Sequence, residues 1–149
     1  MKNAIAVALT LYALASLGGA HAQTGARHWS LTPDGVSLRD PARPRTVNVA
    51  LPGWHWAGAP YGSAPVIAFG PQGEAIVTSD VAPVLWRIDP KTLAVSVHPL
   101  VLDADNDKDV GFSALAYSRE HDAFVGVSGM HGSVWMIDRP LTRARKLKH

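Results

Sequence analysis

Apolar and polar positions alternate in short runs, separated by turns rich in Gly, Pro and Asp. In residues 46–51, Val47, Val49 and Leu51 share one face and Thr46, Asn48 and Ala50 the other, which is the period of a half-buried strand. Residues 93–98 repeat this, with Leu93, Val95 and Val97 opposite Ala94, Ser96 and His98. Residues 65–70, 74–79 and 84–89 are apolar on both sides, as strands covered on both faces are. Pro33-Asp34-Gly35 predicts a tight reversal between two short strands in 28–38. No stretch after residue 22 carries a long helical period, so an all-β chain is expected.

The strands recur as a unit. Residues 64–100 and 112–147 match in order: Ala68 with Ala116, Phe69 with Tyr117, Ala75-Ile76-Val77 with Ala123-Phe124-Val125, and Trp86-Arg87-Ile88-Asp89 with Trp135-Met136-Ile137-Asp138. The first pairs lie 48 residues apart and the last 49, so one residue has entered a loop. Leu38-Arg39-Asp40-Pro41 echoes the same motif 49 residues before Asp89-Pro90, giving a partial repeat over 28–52. A period near 50 is the mark of an array of small sheets.

Composition narrows the classes. The 149 residues suit one domain, and a net charge of +2 gives no general drive toward nucleic acid or acidic membranes. Cysteine is absent, which excludes disulfides, a thiol nucleophile and covalent haem attachment. Residues 143–147 are mostly cationic, and on an outer strand such charge guards an edge against pairing.

At the N-terminus, Lys2 precedes the apolar run 4–17, and Ala20-His21-Ala22 offers small residues where a signal peptidase reads. The expectation is a signal peptide over 1–22, cleaved before Gln23, and a periplasmic or secreted product over 23–149. No later segment is apolar enough to span a membrane.

Four strands per unit, a Trp-x-Ile-Asp third strand and an Asp-Pro turn make the chain similar to secreted bacterial β-propeller repeats of the phytase-like, YncE-like and NHL-like groups. The resemblance implies two four-stranded antiparallel blades plus a partial third. A closed propeller uses four or more blades. The chain is therefore expected to be part of a longer propeller, a subunit of a ring completed by further copies, or an open stack prone to self-association.

Two stretches carry candidate chemistry. Asp103, Asp105, Asp107 and Asp109 place carboxylates at alternate positions of one loop, as a hard cation such as Ca²⁺ requires. The EF-hand pattern fails, with Lys108 where Gly is needed and Ala114 where Glu is needed, so a solvated acidic turn stands beside the Ca²⁺ reading. Trp54, His55, Trp56 and Tyr61 lie in a Gly- and Pro-rich loop. Its rings form either a platform for a sugar or a cover for a sheet end. The histidines form no metal set, and no nucleophile elbow, phosphate loop or dinucleotide fingerprint occurs.

The functional expectation is an exported non-catalytic binding module, its ligand a carbohydrate, a peptide or another envelope protein. A Ca²⁺-dependent phosphoesterase is the alternative implied by the phytase-like resemblance. A lectin-like subunit and a truncated, inactive remnant are the others.

Overall fold

The computed structural model describes residues 26–56, 64–103 and 111–147. Among these, every regular element is a strand. The first sheet is a meander of β1 (His28–Thr32), β2 (Gly35–Arg39) and β3 (Val47–Ala50). The second holds β4 (Ile67–Phe69), β5 (Ala75–Thr78), β6 (Val84–Ile88) and β7 (Val95–Pro99), again in chain order. The third has β9 (Phe112–Ser118), β10 (Ala123–Ser128), β11 (Val134–Asp138) and β12 (Arg143–Lys146), with the two-residue β8 (Val101–Leu102) beyond β12. Neighbours pair antiparallel, except β8 with β12, which is parallel. No sheet closes on itself.

The second sheet is the middle of a stack, because its side chains alternate between two cores. Ala75, Val77, Trp86 and Ile88 join Val36, Val49 and Leu51 of the first sheet and its following loop. Ile76 and Leu85 point the other way and join Phe112, Phe124, Trp135 and Ile137 of the third sheet. Strand β5 is thus buried on both faces, and its Ala-Ile-Val run needs no polar side.

Pairing register moves the inserted residue. Ala75 faces Ile88 and Val77 faces Trp86, while Phe124 faces Ile137 and Gly126 faces Trp135. With Trp86 and Trp135 corresponding, Ala75 answers to Phe124 and Val77 to Gly126. The match of Ala75-Ile76-Val77 with Ala123-Phe124-Val125 is therefore one residue out, and a one-residue slip puts every side chain on the opposite face. The extra residue sits in the β9–β10 turn, residues 119–122. Gly126 also makes room: a Cβ there would lie 2.8 Å from Phe112 Cδ1.

The cationic strand β12 is not the outer edge over its whole length. After β7 the chain crosses at Leu100 and lays Val101 and Leu102 against Arg143 and Ala144. Asp103 continues the ladder with its side chain, Oδ1 accepting the Lys146 amide at 2.9 Å.

Three links tie the stack together near Thr78. Val66 N–H donates to Thr78 Oγ1, the Thr78 hydroxyl donates to the Phe112 carbonyl, and the Trp54 indole donates to the Thr78 carbonyl, all at 2.8 to 2.9 Å. Beside them, the Phe112 amide donates to the Ser79 carbonyl at 2.8 Å. Gly111 passes so close to the Asp80 backbone that a Cβ would stand 2.0 Å from the Asp80 carbonyl carbon.

Candidate functional site

Asp40, Asp89 and Asp138 fall 49 residues apart, each at or just past the end of the strand second from the outer edge of its meander. Each carboxylate closes the following turn. Asp40 accepts from the Ala42 amide, Asp89 from the Lys91 and Thr92 amides, and Asp138 from the Thr142 and Arg143 amides and the Thr142 hydroxyl. Short Asp side chains do this because they reach backbone N–H groups of the turn that follows, two to five residues on. The Ala42 amide holds Asp40 below the usual carboxylate range, and the Thr92 amide does so for Asp89. At Asp138 partial burial pulls upward, but the Arg143 and Thr142 donors outweigh it and the net shift is down.

The carbonyl just after the aspartate in each of the last two turns accepts a guanidinium from across the stack. Arg27 donates to the Pro90 carbonyl and to the Asp40 carboxylate, joining the first and second sheets. Arg87 Nη2 donates to the Arg139 carbonyl at 2.7 Å, joining the second and third. Corresponding turns are thus clasped by arginines from different positions in the chain.

A cleft of about 510 Å³ opens where Arg87 meets the Arg139–Pro140 turn. Its floor is β6 and β7, with Arg87 and Ser96 as register partners. Its rim holds Gln72, Glu74, Asp89 and Arg139. The buried Glu74 turns its carboxylate back to the Gln72 amide at 2.8 Å, and Asp89 is held by its own turn, so both acids are occupied locally. Arg87 is not fully occupied, because its buried Nε–H has no hydrogen-bond partner. Next to it, Ser96 Oγ and His98 Nε2 lie 2.8 Å apart. Burial, and secondly the Arg87 charge, push the His98 pKa below its ordinary value. The arrangement brings Arg87, Arg139, Ser96 and Gln72 together at one opening, where they can offer donors and acceptors to a polar ligand.

The sequence candidates are dispersed. Trp54 is 6% exposed and packs between the first and second sheets, its indole satisfied by Thr78. His55 is exposed, 3.8 Å from the Asp34 carboxylate. Trp56 is half-buried against the same core, with its indole N–H buried and unpartnered. Tyr61 lies outside the described residues, as do Asp105, Asp107 and Asp109. Asp103 is bound to the Lys146 amide. Among the described residues, no group of three or more His, Asp or Glu is placed to hold a metal. No helix among them is long and apolar enough to cross a membrane.

Sequence reasoning passed over Arg87, Ser96 and Arg139. The available signal was the charge of Arg87 inside the otherwise apolar strand VLWRI, where the third sheet has Met136.

No family model, curated protein or solved structure matches the chain.

Proposed function

We propose that this chain is an exported, non-catalytic binding module of the β-propeller type, which takes a polar ligand in the cleft between its second and third sheets. The observation that carries the reading is the meeting of Arg87 and Arg139 at one cleft whose two acids, Glu74 and Asp89, are already held by backbone amides. Arg139, whose Nη1 faces the exposed Asp122 carboxylate at 3.4 Å, adds a second guanidinium at the mouth, while Gln72 and Ser96 suit hydroxyls or amides. The ligand chemistry is therefore a carbohydrate or peptide bearing a carboxylate.

The propeller part is supported by meanders of one strand order, stacked through Trp-x-Ile faces and closed by aspartates at one spacing. Export rests on the leader-like residues 1–22, and mass spectrometry of the recovered protein is expected to find Gln23 first. Calcium enters only through residues 103–109, and a melting temperature that rises with Ca²⁺ and falls with chelator is its test.

The binding reading is tested on arrays of acidic glycans and of acidic peptides. A ligand from one class should bind, and Arg87→Ala should weaken it about tenfold or more, which is 1.4 kcal/mol. Binding indifferent to both Arg87→Ala and Arg139→Ala, or none on either array, overturns it.

A further inference from the structure

Strand β7 ends the second sheet on its outer side, so one of its edges has no neighbouring strand. The Asp89 amide donates to the Ala94 carbonyl at 2.9 Å, and the Leu100 amide to the Pro83 carbonyl at 2.8 Å. In an antiparallel ladder, hydrogen-bonded pairs alternate with non-hydrogen-bonded ones. Between those two ends, Ser96 and His98 therefore bond to their partners Arg87 and Leu85, while Val95, Val97 and Pro99 turn their backbone groups outward. Proline, with no N–H to give, stands at one of the outward places, where a free edge tolerates it. Among the described residues, no other backbone group meets the outward N–H and C=O of Val95 and Val97.

This edge is also unguarded. The outer strand β12 of the third sheet is cationic, and β8 covers its end. In β7 the residues before Pro99 are Val95, Ser96, Val97 and His98, with no acid, lysine or arginine among them, and Val97 is 43% exposed. An exposed edge without charge is a template for a further strand. The first sheet has an outer edge in β3, but the hollow beside it is lined by Asp34 and by no guanidinium.

We infer that the ligand of the Arg87 cleft is an extended peptide, which adds to the second sheet as a strand beside β7 and sets an acidic side chain into the cleft. The inference rests on the proposed binding reading and names the class of its ligand. Val95 connects edge and cleft. Its side chain packs toward the first sheet, so what it shows the cleft is backbone. Cross-strand neighbours share a face of the sheet. Ser96 shares its face with Arg87, so the peptide residue opposite Ser96 points toward Arg87 and Arg139, and that residue is the acidic one. The residues on either side of it stand opposite Val95 and Val97. They exchange backbone hydrogen bonds with them and turn their side chains to the other face, where apolar groups cover Val97. The recognised pattern is therefore apolar, acidic, apolar. Main-chain bonds supply affinity and the alternating side chains supply specificity, as in other strand additions. A sugar has no row of N–H and C=O groups to match the edge.

The probe is a capped synthetic peptide, Ser-Thr-Val-Glu-Val-Thr-Ser, titrated into the protein by calorimetry. It should bind, and changing its glutamate to glutamine should weaken it about tenfold or more. Methylating both valine nitrogens removes the donors to β7 and should weaken it at least as much. Methylating the glutamate nitrogen, which faces away from β7, should change it far less. In the protein, Val97→Pro removes an outward N–H and no ladder bond. It should keep the far-ultraviolet circular dichroism and lose affinity as valine methylation does, while Val97→Ala keeps the N–H and should lose less. Absence of peptide binding, or binding indifferent to valine methylation or to Val97→Pro in a folded chain, overturns the inference. Should acidic glycans alone then bind through Arg87, the cleft reading stands without the added strand. Peptide binding that needs the valine amides but ignores Arg87→Ala and Arg139→Ala keeps the added strand and removes the cleft reading.

Discussion

The Thr78 hydroxyl donates to the Phe112 carbonyl at 2.8 Å, joining the middle sheet to the first strand of the third. The same oxygen accepts the Val66 amide, and the side chain is fully buried. Thr78→Val keeps the shape and strands both partners without water. The expected loss is about 2–3 kcal/mol, from the cost of unpaired buried groups. Urea denaturation should show a lower midpoint. Thr78→Ser retains the hydroxyl and should lose less, and if the two variants lose equally the hydrogen bonds are not the cause.

Gly111→Ala tests how closely the second and third sheets approach. The added methyl would meet the Asp80 backbone, which cannot swing aside as a side chain can. Overpacking of this kind costs about 1–3 kcal/mol. The thermal midpoint should fall accordingly, with faster exchange of the Phe112 amide that donates to the Ser79 carbonyl. Gly73→Ala is a poor control because its φ is 81°, whereas Ala114→Gly on the outer face is a fair one.

Stability should fall with acidity in two windows. The His98 pKa is lowered in the fold, first by burial and then by Arg87. Below the unfolded value of about 6.5 the unfolded chain takes up a proton that the native one resists, so stability declines from there down. Asp40, Asp89 and Asp138 are also lowered, so their contribution is complete above about 4 and is lost as pH falls through their folded values. Urea midpoints across pH 3–8 should show both declines. Replacing His98 by Gln should remove only the upper one.

Arg87→Gln removes the charge beside His98 and leaves its burial. The His98 titration, followed by proton NMR of the ring, should move up toward the ordinary value without reaching it. A titration that stays in place would mean that the guanidinium exerts no field on the ring.

Leu141 sits at φ 60° with 1% of its surface exposed, in the turn that Asp138 closes. A bulky residue in that backbone region is strained, and here core packing with Trp135 and Ile137 holds it. Leu141→Ala should cost about 2–5 kcal/mol, as large-to-small core changes do. Leu141→Gly relaxes the backbone while losing the same contacts, so it should cost no more than the alanine variant. Chemical denaturation of both variants separates strain from packing.

The sequence was most legible where pattern and turn chemistry agree. Alternation in 46–51, the Pro33-Asp34-Gly35 reversal and the Trp-x-Ile-Asp strands all locate strands found within a residue or two. The slip at β5 and β10 was not legible, because Ala75-Ile76-Val77 aligns equally well with apolar residues in either register, and only hydrogen-bond partners decide which face each side chain takes. Strand β8 was hidden because two residues carry no period. Arg87 was overlooked because a charge in a strand resembles any solvent-facing position until the neighbouring sheet is placed. Trp54 and Trp56 look alike in a Gly-rich loop, yet one is enclosed and the other half-open, a difference set by Thr78 some twenty positions on.

Val101 is held by Arg143, about 40 residues later in the chain, while every other neighbouring pair of strands is joined by a single short hairpin. During synthesis the first two meanders can zip as they leave the ribosome. Val101 and Leu102 must wait, unpaired, until the final strand emerges. The seam between them can thus close only once residues 143 and 144 are free to fold, and a chain lacking them would hold two finished sheets and an unsealed third.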